Sequence, residues 1–460
     1  MLHDDSSFST PATSDQPWWR ELSRYHWFVF VVAALGWLFD TMDQQLFVMA
    51  RNPAVAELLR ASPGEDIVKQ WGPATTTIFM IGWATGGIIF GILGDRIGRV
   101  KTMVLTILLY SLFTGLSAFS RSVFDFSFYR FLTGLGVGGE FAVGVALVAE
   151  VMPDRARPHA LGMLQALSAV GNVTAALIAI TLGKLQEKGI IQSSWRSMFI
   201  IGIFPAVLSV FIMRRLKEPE RWTQLKALGT AKQKLGSYRE LFGDPRWRRN
   251  AIVGLLMASS GVIGLWGIGF FSSELVSFVF REYFEKPELN LTHEEVNGNV
   301  AFWVGINSLL LNTGAFLGIY AFSRFTAHTG RKPAFALSFF LAMASTAFTF
   351  WYLKEFSDVF WMIPTMGFCQ LALFGGYAIY FPELFPTRLR STGTSFCYNV
   401  GRYVASIGPL TLGQLASQVF GHHGTVLSWR YAGVTMCAFF LLGLIALPFA
   451  PETKGKPLPE

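Results

Sequence analysis

Two carboxylates stand three residues apart inside an apolar stretch, Gly36-Trp-Leu-Phe-Asp40-Thr-Met-Asp43-Gln-Gln-Leu-Phe47. On a helix this spacing turns both side chains to one side, so Asp40 and Asp43 are expected to face a shared space. An acidic residue near the middle of a membrane-crossing helix costs roughly 2.5–3.5 kcal/mol. Two of them require a cation, water or protons. The chemistry open to such a pair is proton uptake and release along a solute path. The alternative is a kinked helix whose free backbone groups are satisfied by Asp40. Arg130 and Glu140 fall in another apolar stretch, where ionisable side chains mark functional sites by default. Arg130 could hold the aspartates charged until a solute displaces it; a permanent ion pair between the first and fourth spans is the structural alternative. Farther along, Arg402 lies close to Asn399 and Tyr403, and its planar guanidinium suits a carboxylate. Asn172 takes the matching place in the first half. Glu274 follows Asp43 at close to the offset of the internal repeat described below, and is either a counterpart of the aspartates or an interfacial side chain. Gln165, Asn307, Asn312, Gln370, Tyr377 and Tyr380 are weaker candidates, because lone polar side chains commonly join helices.

The elements that must position these groups follow from composition. Of 460 residues, 52% are hydrophobic and 15% charged, against about a quarter charged in a soluble chain. An all-α membrane protein is expected, with spans near 26–50, 72–94, 102–120, 124–149, 159–183, 196–216, 250–280, 299–322, 334–353, 359–381, 393–414 and 429–450. These twelve helices divide into an N-terminal segment 1–25, a six-helix bundle 26–216, a basic linker 217–249, a second bundle 250–450 and a tail 451–460. The net charge of +8 lies mainly between the apolar stretches, where basic residues orient helices rather than bind nucleic acid. The positive loops place both termini in the cytoplasm. The expected setting is the cell or inner membrane, the expected state a monomer in the lipid bilayer.

Cys369, Cys397 and Cys437 all lie in apolar stretches and imply no disulfide framework. No spacing of ligands suggests a metal, and no phosphate-binding loop is present, so neither cofactor nor ATP is expected. Gly134, Gly136 and Gly139 match a dinucleotide fingerprint but sit inside an apolar span. There they are expected to let helices approach closely.

An internal repeat organises the chain. Glu150, Pro153, Arg155 and Arg157 recur with unchanged spacing as Glu383, Pro386, Arg388 and Arg390. At almost the same offset, Gly98-Arg99 returns as Gly330-Arg331, and Pro219-Glu220 as Pro451-Glu452. Two six-helix units in tandem share one orientation and place a solute site between them near the midplane.

These residues carry a resemblance. Gly91-Ile-Leu-Gly-Asp95-Arg96-Ile-Gly98-Arg99 resembles the signature loop of the major facilitator superfamily, and Arg130-Phe-Leu-Thr-Gly134-Leu-Gly136-Val-Gly138-Gly139-Glu140 resembles its fourth-helix motif. Pro451-Glu-Thr-Lys-Gly455 resembles the tail motif of its sugar porters and organic-ion transporters. Asp40-Thr-Met-Asp43 is similar to the paired aspartates of metabolite:proton symporters, with Thr41 where glycine is usual. The resemblance implies a secondary transporter rather than an enzyme, moving a small organic solute by alternating access with protons. An organic, aromatic or sugar acid is expected as cargo. A carrier of neutral sugar or organic cation, and a sensor that binds without transport, remain open. It also implies a cytoplasmic gate of ion pairs among Asp95, Arg96, Arg99, Glu150, Arg155, Glu220, Arg331, Glu383, Arg388 and Glu452, with Gly91 and Gly98 in its turn. The halves are not equivalent: Ala327 matches Asp95, while Ile363 and Leu373 match Arg130 and Glu140.

Overall fold

The computed structural model describes residues 17–61, 66–207, 215–227, 235–268, 272–406, 411–412, 414–423 and 425–459. Every regular element among them is helical, as apolar segments in lipid must be to satisfy their own N–H and C=O groups. The first half comprises α1 (Arg24–Leu59), α2 (Asp66–Arg96), α3 (Arg99–Ser117), α4 (Val123–Val151), α5 (Arg157–Glu187) and α6 (Ser194–Ile201). The second comprises α7 (Pro245–Val262), α8 (Ser272–Phe284), α9 (His293–Thr329), α10 (Arg331–Tyr352), α11 (Val359–Glu383), α12 (Arg390–Ala405), α13 (Thr425–Met436) and α14 (Phe439–Ala446). Short helices Glu220–Ala227 and Tyr238–Gly243 lie in the linker.

Among the described residues ten helices are long and apolar enough to cross a membrane, and Ser194–Val207 is a shorter apolar helix. The expected spans fall on these elements, but residues 208–214 of the sixth, 269–271 of the seventh, and 407–410 and 413 of the eleventh lie outside the described residues. Several helices outrun their apolar stretches: α1 continues through Pro53 to Leu59, and α9 extends to Thr329. The seventh span is not one uniform helix. It starts at Pro245 behind an Asp244 cap and passes into a π-helical turn at Ile263–Ile268; residues 269–271 lie outside the described residues. Gly261, Gly264 and Gly267 lower helix propensity in this region.

Reciprocal capping boxes start α1 (Ser23 with His26), α4 (Ser122 with Asp125) and α9 (Thr292 with Glu295). The repeat shows in the packing. Gly82 and Gly86 of α2 face the Phe131 and Leu135 carbonyls of α4, while Gly134 and Gly138 of α4 face those of Phe79 and Trp83. A Cβ at Gly86 would sit 1.9 Å from the Leu135 oxygen. In the second half Gly314 and Gly318 of α9 meet Pro364 and Phe368 of α11 in the same way. The glycines that mimic a nucleotide fingerprint are helix-packing positions: Gly134 faces the Phe79 carbonyl, Gly136 the Tyr110 backbone N and Gly139 the Phe90 side chain. Between the halves, α2 packs on α12 and α5 on α9.

Candidate functional site

Helix α1 carries Asp40 and Asp43 and α4 carries Arg130 and Glu140; all four are at most 1% exposed. Asp43 lies against Arg130, and Asp40 and Glu140 lie together beside that pair. Asp43 Oδ2 lies 3.6 Å from Arg130 Nη1, a long ion pair. The same guanidinium donates to Ser117 Oγ of α3 at 3.1 and 2.8 Å and lies 4.6 Å from the Phe199 ring centroid. The sequence expectation that Arg130 serves both aspartates therefore needs correction. Side chains three residues apart on a helix differ by about 60° around the axis and about 4.5 Å along it. That offset lets Asp40 meet Glu140 while Asp43 meets Arg130. Asp40 interacts with Glu140, and Tyr110 of α3 faces both. Among the described residues neither carboxyl, nor the Tyr110 hydroxyl, completes a hydrogen bond.

Arg402 of α12 is buried, donates to Asn399 Oδ1 at 2.6 Å and the Tyr398 carbonyl at 3.0 Å, and stacks 4.0 Å from the Trp83 ring of α2. Its Nε has no hydrogen-bond partner among the described residues. Asn399 also donates to Ser395 and reaches the Gly138 carbonyl across the halves. Tyr403 meets Thr85 of α2 at 2.7 Å, pointing to the inter-half seam rather than to Arg402. Asn172 donates to Asn312 across the α5–α9 seam at 2.8 Å. The Gln165 Oε1 atom and both Asn307 side-chain polar atoms are buried without partners among the described residues. Gln370 and Tyr377 bond to Thr346 and the Met257 carbonyl, joining helices of the second half, and Tyr380 donates to the Pro451 carbonyl in the tail. Glu274 lies in α8, but its side chain is outside the described residues.

The repeated charged motifs gather at the other end of α2 and α4. Asp95 accepts from the Ser391 N–H at 3.1 Å, the Thr392 N–H at 2.8 Å and Thr392 Oγ1 at 2.6 Å, capping α12 from the opposite half. Arg99 pairs with Asp95 at 3.0 Å and Glu150 at 2.9 Å, and donates to the Thr387 carbonyl. Arg390 crosses from α12 to the same Glu150 oxygen at 2.8 Å. The second copy differs. Arg331 grips Glu383 with two bonds, and Thr453 adds a third, but Arg157 turns to the Ala149 carbonyl and Asp154.

Gly98 (φ 120°) and Gly330 (φ 104°) turn the chain into α3 and α10, and a carboxylate seats on each turn. At α10 it is Glu452, accepting from the Arg331 and Lys332 N–H groups at 3.0 Å each. Burial works against that charge, but the N–H groups of Lys332, Arg331, Lys454 and Thr453 hold Glu452 below the usual carboxylate range. At α3 the counterpart is Glu218, accepting from Val100 and Lys101, and not Glu220, which is exposed. The connection after α6 reaches its turn two residues earlier than the repeat spacing implies. Arg96 donates to the Leu235 carbonyl and Arg388 pairs with Glu240, both in the linker, whereas Arg155 pairs with Glu21. Gly91 admits Ser395 at the α2–α12 seam. Sequence reading missed Glu218, Ser391, Thr392 and Trp83. The Ser-Thr pair directly after Arg390, at a helix start, was the available signal for two of them.

Ten membrane-length apolar helices and a shorter one among the described residues, arranged in two related halves with ionisable side chains buried between them, describe an integral membrane protein. The chain belongs to the Major Facilitator Superfamily, whose family model matches residues 27–409; its members carry solutes and are not enzymes. It is 28% identical to the cis,cis-muconate transport protein of Acinetobacter baylyi over 93% of this chain and 95% of that one. It is 24% identical to the niacin transporter NiaP of the same organism, covering 95% and 96%. Its fold matches the proton:xylose symporter XylE bound to 6-bromo-6-deoxy-D-glucose with a TM-score of 0.72 and 18% identity, over 94% of this chain and 98% of that one.

Proposed function

We propose that this chain is a proton-coupled symporter of a small organic acid, working as a monomer by alternating access, with both termini and the Arg99 end in the cytoplasm. The observation that carries the reading is the pair of junctions between α1 and α4: Asp43 against Arg130, and Asp40 against Glu140 with no cation beside it among the described residues. A carboxyl pair buried without a cation can take up and release a proton. The neighbouring Asp43–Arg130 pair, at 3.6 Å, is loose enough to rearrange when that charge changes. Arg402, braced by Asn399 and Trp83, presents the guanidinium that would bind the carboxylate of the solute. The muconate and niacin transporters among its relatives support an acidic cargo. Basic residues at the Arg99 end support the orientation.

The test is uptake into proteoliposomes. Asp40→Asn and Glu140→Gln should abolish accumulation driven by a pH gradient while leaving exchange of labelled for unlabelled solute, which needs no net proton movement. Full gradient-driven accumulation in both variants and in the double variant would refute proton coupling at this site.

A further inference from the structure

A cavity of about 620 Å³ opens at the Arg99 end, between the start of α5, the last turns of α9 and the tail. Its wall includes Arg157, His159, Arg324, Ala327, His328 and Lys456, together with the two carboxylates Asp154 and Glu383. The internal repeat explains why it is there. In the first copy the Asp95 carboxylate fills the gap between α2 and the start of α12, bonded to Ser391 and Thr392. The residues in those places in the second copy are Ala327, Pro158 and His159, and all three line the cavity. A methyl group thus stands where the first copy has a carboxylate.

Charge is missing along with volume. In the first copy Arg99 and Arg390 face two buried carboxylates, Asp95 and Glu150. In the second, Arg331 and Arg157 share Glu383 and the 70% exposed Asp154. Arg157 bonds within its own half, whereas Arg390 crosses to Glu150. Arg155 in the wall pairs with Glu21, but two other wall side chains have no carboxylate among the described residues: the His159 Nδ1 atom is buried without a partner, and Arg324 donates to the Tyr320 hydroxyl. The ring of Trp18 stacks on His159 with centroids 5.3 Å apart and closes one side. Cationic forks around a space far larger than one carboxylate suit a tetrahedral anion with several acceptor oxygens.

We propose that this cavity is a phosphate site, filled by a soluble phosphate compound or a phospholipid headgroup, in which the anion replaces the missing carboxylate and braces α5 against α9. Because its walls come from both halves, the bound anion favours the state in which this end is closed. The site is separate from the solute path and is independent of the cargo.

The test uses the purified full-length protein and inorganic pyrophosphate as probe, with chloride controls at matched ionic strength. Pyrophosphate should raise the thermal unfolding midpoint saturably. Arg324→Ala should weaken the apparent affinity about tenfold or more, the loss expected for a charge-assisted hydrogen bond. Ala327→Asp, which restores the first copy's carboxylate, should remove the response and raise the midpoint without ligand. Should Ala327→Asp not fold, the Arg324→Ala, His159→Ala double variant must lose the response instead. A second arm compares vesicles of phosphatidylcholine with vesicles of equal parts phosphatidylcholine and phosphatidylglycerol; stabilisation only in the latter identifies the headgroup as the occupant. The proposal is overturned if neither arm gives a shift beyond its control, or if the pyrophosphate response survives unchanged in the variants that fold.

Discussion

Asp95→Asn tests the idea that the Arg99 end is a gate. With that end closed, Asp95 accepts three hydrogen bonds from α12 and faces Arg99. Asparagine keeps the shape and one acceptor oxygen, which can stay on Ser391. Its amide group cannot accept from the Thr392 N–H, so one buried backbone donor is stranded and Arg99 loses a charged partner. A hydrogen bond to a charged group contributes about 1.5–3 kcal/mol. A gate in which α2 and α12 part as this end opens takes the loss on the closed state, shifting the equilibrium toward the open one by about tenfold to a hundredfold. Ser323→Cys is a suitable reporter, in a background without Cys369, Cys397 and Cys437. Ser323 is 1% exposed and sits on α9 against Gly162 of α5. Labelling by a membrane-impermeant thiol reagent from the Arg99 side should accelerate by the same factor in Asp95→Asn. Wild-type labelling in a variant that inserts normally would refute the reasoning.

Three other expectations follow from the geometry. Arg402→Lys keeps a charge but loses the planar fork and the stack on Trp83, so half-saturation for an acidic solute should rise about tenfold or more in equilibrium binding; unchanged affinity in both Arg402→Lys and Arg402→Ala would remove Arg402 from the site. Gly138→Ala places a methyl 1.9 Å from the Trp83 oxygen and should cost about 1–3 kcal/mol or more, seen as a lower thermal midpoint. The stabilising effect of Glu452, whose ionised form is favoured by folding, should be full above the ordinary carboxylate range and fade as pH falls through its lowered value. Thermal midpoints of wild type and Glu452→Gln should therefore differ at neutral pH and converge on acidification; a gap that persists at low pH would contradict this.

Much of the fold was legible because membrane helices announce themselves by length and polarity, and because the chain repeats its turns. Gly98-Arg99 and Gly330-Arg331 sit in the same backbone turn, and the fourth-span glycines lie on a packing face. Less visible was which charge meets which. Asp40 and Asp43 share a helix face in projection, yet the angle and rise left between them give them different partners, Glu140 and Arg130. Identical motif spacing did not give identical pairing either: Arg390 crosses to Glu150, whereas its counterpart Arg157 remains in its own half. Glu218 was masked by Glu220 because the repeat spacing was carried across a connection of different length. Such choices depend on connection length and on neighbours from distant helices, which local periodicity does not encode.

The glycine contacts have a mechanical consequence. Helices α2 and α4 touch backbone to backbone, and α1 rests in the same way on α5, where Gly171 faces the Leu38 carbonyl. Between these two welded pairs α1 and α4 meet through side chains, Asp40 against Glu140, Asp43 against Arg130 and Trp37 against Phe141. That boundary is a fault line within the first half. Slip along it would displace α5, which packs on α9, relative to α2 and α4, which pack on α12. If the proposed proton uptake occurs at the Asp40–Glu140 pair, it acts at a boundary from which a small shear would reach both seams at once.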